Sequence, residues 1–418
     1  MVMNKEYVKT MQLPNGFRIH VIVKPDYVRT SMALTVNFGS VDSNFKLDGT
    51  LITQPAGIAH FLEHQLFDKE GYDVTEKFAA LGADSNAFTS YTKTSYLAST
   101  VENPMEVIKT LVNFVTTPYF SAENVAKEKG IISQEIGMYT DDPDNRLYVN
   151  TVENMYQETT LANDVAGSVE SVSQITQDDL NLAYTSFYQP NNMNLLVVGN
   201  INAQQVYESV LASFGLDTIS ESKVQKNRQS LTGKLNKSLN FTAPVVFPKF
   251  ALGLKGHDKV PENLAGIKYE IAVSIALDLF FSETASTYNQ LYEANLLDDS
   301  FSYEFENEDG FHFAMLLGNA LNPVETIDQL QKVIRSIPTE LPKMREQFEL
   351  QKKELTGNYI EMMDSETAIV SQFSDFGEET DSVFDELKLI TELNFDDLIN
   401  ICIPFFEQVE VSQTIIEA

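Results

Sequence analysis

From Tyr7 to Phe38 the chain reads "YVKTMQLPNGFRIHVIVKPDYVRTSMALTVNF", polar residues alternating with β-branched or apolar ones and broken by Pro14-Asn15-Gly16. Alternation with period two is the mark of a half-buried strand, and Pro-Asn-Gly is a turn signal, so the stretch predicts a strand, a hairpin and a further strand. The pattern then changes. "AGIAHFLEHQLF" spaces its apolar residues as a helix does, and "SNAFTSYTKTSYLAST" returns to the Thr/Ser/Tyr-rich alternation of paired strands. "PMEVIKTLVNFV" and "ENVAKEKGIISQEIGMY" are helical again, the second running into the Asp- and Pro-rich turn "TDDPDN". Strands interleaved with helices predict an α+β fold with a sheet layer.

The whole chain has 418 residues and a mass of 46.9 kDa, too long for one ordinary core, so two domains are expected. No run of eighteen apolar residues and no charged-then-apolar leader occurs in it, which predicts a cytoplasmic protein without a membrane span. Cys402 is the only cysteine; it cannot form an internal disulfide, and it excludes a thiolate-only metal cluster. Any bound metal must therefore use His, Asp or Glu. A net charge of −31 argues against a nucleic-acid partner and for cationic ones, with plain solubility as the alternative.

Near Leu216 the apolar periodicity lapses into "LDTISESKVQKNRQSLTGKLNKS", which predicts a linker over residues 219–238 between domains 1–218 and 239–418. An internal echo supports the split. "ITQDDLNLAYTSFY" (Ile175 to Tyr188) answers "LNFDDLINICIPFF" (Leu393 to Phe406), each near the end of its half and each followed by a strand-like run, "MNLLVVGNI" and "QVEVSQTII". Acidic residues suit any helix start, but agreement in position as well predicts duplication.

Two of the five histidines lie in "GIAHFLEHQLF", at His60 and His64, with Glu63 between them. On a helix, positions i, i+3 and i+4 share a face, so the three side chains converge. Two neutral imidazoles so placed can chelate one zinc ion with a coordination position left for water, and the glutamate can take that water's proton. This is the inverted form of the HExxH arrangement. A catalytic zinc needs a third protein ligand. Glu128 and Glu135 in "AKEKGIISQEIGMY" are seven residues apart, two turns along one helix face: one could bind the metal, the other could hold a histidine's second nitrogen.

Together these segments resemble the pitrilysin/insulinase family of inverted-motif metallopeptidases. "GIAHFLEHQLF", "LGADSNAFTSYTKTSY", "EKGIISQEIGMYTDDPDNRLY" and "FYQPNNMNLLVVGNI" look like family blocks in family order, while the second half matches more loosely through "STYNQLYEANLL" and the repeated "DDL". Half-length bacterial members are the most similar. The resemblance implies two similar α+β domains, each a largely antiparallel sheet packed with helices, forming a half-clamshell like that of the mitochondrial processing peptidase. It implies a zinc-binding peptidase domain over 1–218 and a domain of similar fold without the metal motif over 239–418. It further implies one zinc ion per chain held by His60, His64 and Glu135, Glu63 as general base, Glu128 steadying a ligand from outside, and Asn86, Ala87 and Phe88 on an edge strand that pairs with an extended peptide.

One departure bears on function. Active family members also use an Arg and a Tyr seven positions apart in the second half, yet "STYNQLYEANLLDDSFSY" (Ser286 to Tyr303) has no arginine, and neither Arg335 nor Arg345 has a tyrosine seven residues on. Family peptidases also enclose their peptides between two bowls, each about as long as this whole chain. The expectation is a zinc endopeptidase for peptides or small unfolded segments, basic ones in view of the charge. A related subunit would supply the Arg/Tyr pair in a heterodimer, with a homodimer as the other assembly. The alternative function is a non-catalytic scaffold subunit of a peptidase-like complex. His20, His257 and His312 read as structural or exposed, and Cys402 as a small core residue.

Overall fold

The computed structural model describes residues 8–214, 224–227, 231–373 and 383–418. They form two compact units: residues 8–137, 163–214, 224–227, 361–373 and 383–384 make up the first, and residues 138–162, 231–360 and 385–418 the second. Of the expected linker, 219–223 and 228–230 lie outside the described residues; Val224–Lys226 pairs antiparallel with Phe45–Leu47.

The first unit is built on β1 (Val8–Gln12), β2 (Arg18–Val23), β3 (Thr30–Val36), β4 (Ala83–Thr89), β5 (Thr94–Thr100) and β6 (Met193–Gly199), arranged in the order β1-β2-β6-β3-β5-β4. All neighbours are antiparallel except β6 beside β2. The hairpin predicted at Pro14-Asn15-Gly16 joins β1 to β2, with Gly16 at φ 88°, where a residue lacking Cβ is favoured. β3 is buried along its whole length and β6 along nearly all of it, which is why "TSMALTV" and "MNLLVVG" alternate so weakly. Met32, Leu34, Leu195 and Val197 from the sheet share one core with Ile58, Phe61, Leu62 and Leu66 of the helix Ile58–Phe67. Each such fully buried side chain contributes roughly 1.5–3 kcal/mol, which anchors that helix against the sheet.

The second unit repeats the plan. β7 (Ser238–Thr242), β8 (Lys249–Lys255), β9 (Ser302–Glu308), β10 (Phe311–Asn319) and β11 (Glu410–Glu417) lie in the order β7-β11-β8-β10-β9, with β11 parallel to β7 and the other pairs antiparallel. In each unit the last strand of the sheet inserts between two earlier ones, β6 between β2 and β3 and β11 between β7 and β8, and in each it follows the helix carrying "DDL", Gln177–Phe187 or Phe395–Gln408. The fold is α+β and duplicated. Each unit also takes a helical segment from the other half: Pro143–Met155 packs on β8 and β11, and Glu366–Phe373 on β3 and β6.

The remaining histidines and the cysteine have structural partners. His312 is buried and pairs with Asp258 at 2.8 Å, His257 is exposed and pairs with Glu410 at 2.8 Å, and the buried Cys402 thiol donates to the Ala272 carbonyl. His20, buried on β2, has Nδ1 3.1 Å from the Thr10 hydroxyl; burial and then the nearby Arg18 lower its pKa to about 4. The unfolded chain binds that proton below about 6.5 and the folded chain does not until about 4, so stability falls as pH drops through this window. Going from pH 7.5 to pH 5 is expected to cost about 2 kcal/mol through His20, and urea denaturation of His20→Asn should lack that part of the pH dependence.

Candidate metal centre

The motif helix Ile58–Phe67 begins where Gly57 turns the chain at φ 86°; a Cβ there would lie 2.4 Å from the Ala166 carbonyl oxygen, so a larger residue would push the helix start out of place. Its apolar residues face the core, and His60, Glu63 and His64 share another face. Across from them runs the helix Ala122–Asp141, whose stripe of Val125, Glu128, Ile132 and Ile136 is buried. That packing brings Glu128 and Glu135, two turns apart on one face, to the histidines.

His60 Nε2 lies 3.7 Å from Glu135 Oε1, and His64 Nε2 lies 3.6 Å from Glu135 Oε2. One ligand atom from each of the three residues falls within 4.8 Å of the others. Three ligands bound tetrahedrally at zinc's usual 2.0–2.1 Å stand roughly 3.3 Å apart, so two imidazole nitrogens and a carboxylate oxygen at these separations fit the ion with little adjustment. The electrostatics suit a cation too. His64 Nδ1 donates to Glu128 Oε1 at 2.9 Å, so in the neutral imidazole Nε2 carries no proton and faces Glu135. Burial alone would lower the His64 pKa, but the Glu128 bond and the charges of Glu63 and Glu135 outweigh it and raise it. His60 goes the other way: burial first, then His64, lower its pKa to about 4, so it is neutral at pH 7, as a metal ligand must be.

Glu63 is only 6% exposed, and its Oε2 accepts a hydrogen bond of 2.6 Å from the Thr89 hydroxyl. Burial pushes its carboxyl above the ordinary carboxylate range, with the Thr89 bond and His64 working against the rise. A carboxylate so placed holds a proton more readily than a free glutamate does. Asn86, Ala87 and Phe88 lie on β4 at the edge of the sheet, paired on one side with β5. The Ala87 N–H is held by Asn86 Oδ1 at 2.9 Å. Thr89 was not singled out from the sequence, although it belongs to the same block, "SNAFTS"; neither was Asp164, a carboxyl raised mainly by burial and further by Glu135.

The fold is a two-domain α+β architecture, and comparison with known proteins shows the family it belongs to. Residues 20–169 match the family model "Insulinase (Peptidase family M16)", and residues 174–355 match "Peptidase M16 inactive domain". The chain belongs to the insulinase family, peptidase family M16. It is 35% identical over 396 residues, 93% of this chain and 92% of the other, to the Bacillus subtilis (strain 168) protein named "Uncharacterized zinc protease YmfH", a half-length member. A zinc protease of Mycobacterium leprae, also named as uncharacterized, is 29% identical over 229 residues, 54% of this chain and 49% of that one. The crystal structure of an "M16-like peptidase" from Alicyclobacillus acidocaldarius superposes over 100% of both chains with a TM-score of 0.88 at 27% identity. Among the described residues, no helix is long and apolar enough to cross a membrane.

Proposed function

We propose that this chain is a zinc-dependent endopeptidase for peptides or short unfolded segments, working in the cytoplasm as the zinc-bearing subunit of a heterodimer. The observation that carries the reading is the convergence of His60, His64 and Glu135 beside the buried carboxylate of Glu63. The relatives' names, which call them zinc proteases, support it.

His60, His64 and Glu135 would hold one zinc ion, and Glu128 would fix His64 as the Nε2 ligand. Zinc bound there supplies Lewis acidity, making a bound water easier to deprotonate and the scissile carbonyl more electrophilic. Glu63 takes the water's proton as the oxygen attacks, then returns it to the departing amine. β4 offers its free edge to an extended peptide, whose main chain would replace the Asn86 side chain at the Ala87 N–H. Basic peptides suit a protein of net charge −31.

A partner is part of the reading because the second half of this chain, where the family's Arg/Tyr pair is expected, has no such pair. Without donors for the developing oxyanion the chemical step would be slow, so a related subunit carrying Arg-x6-Tyr is the expected source. The same lack, with the match of the second half to an inactive domain, supports a second reading, a scaffold subunit without turnover.

The test is purification from the native cell, then metal analysis and cleavage of an unstructured basic peptide bearing a fluorophore and quencher. One zinc per chain, a same-size partner, and cleavage abolished by a chelator are expected. A metal-free complex that leaves the peptide intact after zinc is added would sink the peptidase reading, and robust turnover by the isolated chain would sink the partner requirement. Within the same reading, Glu128→Gln should weaken zinc binding by about 10- to 100-fold, measured by competition with a chromophoric chelator.

A further inference from the structure

The base proposed above is held by a residue on the proposed docking strand. Thr89 ends β4, three positions beyond Asn86. Side chains alternate along a strand, so Thr89 shares its face with Ala87 and Ser85, and its bond to Glu63 shows that this face looks towards the motif helix. The direction of the bond follows from its neighbours. The Thr94 hydroxyl, opposite Thr89 in the ladder, donates to the Phe38 carbonyl at 2.8 Å, and the Glu63 carboxylate can only accept. Thr89 therefore gives its proton to Glu63 Oε2. The two threonine oxygens are 3.4 Å apart, so Thr94 backs Thr89 without competing strongly for its proton. A glutamate has three side-chain torsions, and burial by itself does not select the rotamer that a base needs.

We propose that Thr89 is the positioning residue of Glu63: its hydroxyl fixes Oε2, leaves Oε1 for the proton being transferred, and ties the base to the strand on which the peptide is registered. A peptide aligned on Asn86–Phe88 is then aligned with the base through one short piece of rigid sheet. Placement of this kind matters because an offset of about 1 Å at a reacting group can cost a hundredfold in rate. The inference rests on the peptidase reading, but its structural half can be tested apart from it.

The variants are Thr89→Val, which keeps the branched shape and deletes the hydroxyl, and Thr89→Ser, which keeps the hydroxyl. In the zinc-loaded complex with its partner, Thr89→Val is expected to lower kcat on the quenched peptide by about tenfold or more, with KM and zinc content within about twofold of wild type, as loss of a hydrogen bond to a charged group implies. Thr89→Ser should stay within about threefold. Crystal structures of the wild type and Thr89→Val give the second readout: one Glu63 rotamer in the former, several or a displaced one in the latter. Wild-type kcat in Thr89→Val, equal losses in Val and Ser variants, or an unmoved Glu63 would each overturn the proposal. A wild type that cleaves nothing, with Glu63 released only in Thr89→Val, would uphold the positioning role and overturn the peptidase reading instead.

Discussion

Glu63→Gln is expected to lower kcat/KM for peptide cleavage by about 100- to 10,000-fold while zinc content stays at one ion per chain. General-base catalysis usually contributes a factor of this size, equivalent to about 3–5 kcal/mol in the barrier. Glutamine keeps the length and branching of the side chain, and its carbonyl oxygen can still accept the Thr89 hydroxyl proton that Oε2 accepts in the wild type. What it loses is the ability to carry a proton from water to the leaving amine. Because Glu63 faces the site without being among His60, His64 and Glu135, metal loading should not change. Steady-state kinetics on the quenched peptide, with metal content measured on the same sample, separates the two effects. Retained turnover with zinc in place would remove Glu63 from the base role, and loss of zinc would show that its carboxylate supports the ligands rather than the reaction.

How far the sequence shows the fold depends on how local the cause is. The β1–β2 hairpin, the strands β4 and β5 and the motif helix were legible because period and turn chemistry are properties of a few adjacent residues. The insertion of β6 between β2 and β3 was not, since it joins segments about 160–175 residues apart and nothing in "MNLLVVGNI" names its neighbours. Its partial trace is the repeated "DDL", because the helix before β6 and the helix before β11 do the same work in each half. The crossing over of Pro143–Met155 and Glu366–Phe373 had no trace at all: an amphipathic helix shows that it has an apolar face, not which sheet that face covers.

The site divides in the same way. His60, Glu63 and His64 are marked by spacing that few helices have, and the seven-residue interval of Glu128 and Glu135 marks a face. Which glutamate approaches which nitrogen is set by how two helices pack, and only the structure shows Glu128 at Nδ1 of His64 and Glu135 at Nε2 of both histidines. Thr89 stayed hidden for a different reason. In "SNAFTSYTKTSY" a threonine is what a strand is expected to contain, so its hydroxyl gives no sign until a buried carboxylate is found 2.6 Å away.

The other large expected effect is on the metal itself. Glu135→Ala removes one of the three side chains that meet, and two histidines alone seldom make a stable zinc site, so zinc content should fall from about one ion per chain to near zero after dialysis. Binding to the folded state alone stabilises it, by about 2.7 kcal/mol at a free zinc concentration 100 times Kd. Wild type should therefore gain several degrees in Tm on zinc addition, and Glu135→Ala should gain almost nothing. The gain should also depend on pH in a definite direction. In the metal-free chain the Glu128 bond and the charges of Glu63 and Glu135 raise the His64 pKa, so protons begin to displace zinc above pH 6.5 and do so more strongly as pH falls. The proton that stabilises the metal-free fold at His64 is bound below that raised pKa and lost above it, which makes the zinc-induced rise in Tm larger at pH 8 than at pH 6. Calorimetry at the two pH values, with and without zinc, measures it. An equal zinc-induced rise in wild type and Glu135→Ala would mean that the carboxylate is not a ligand, and would leave Glu128 as the acid to test next.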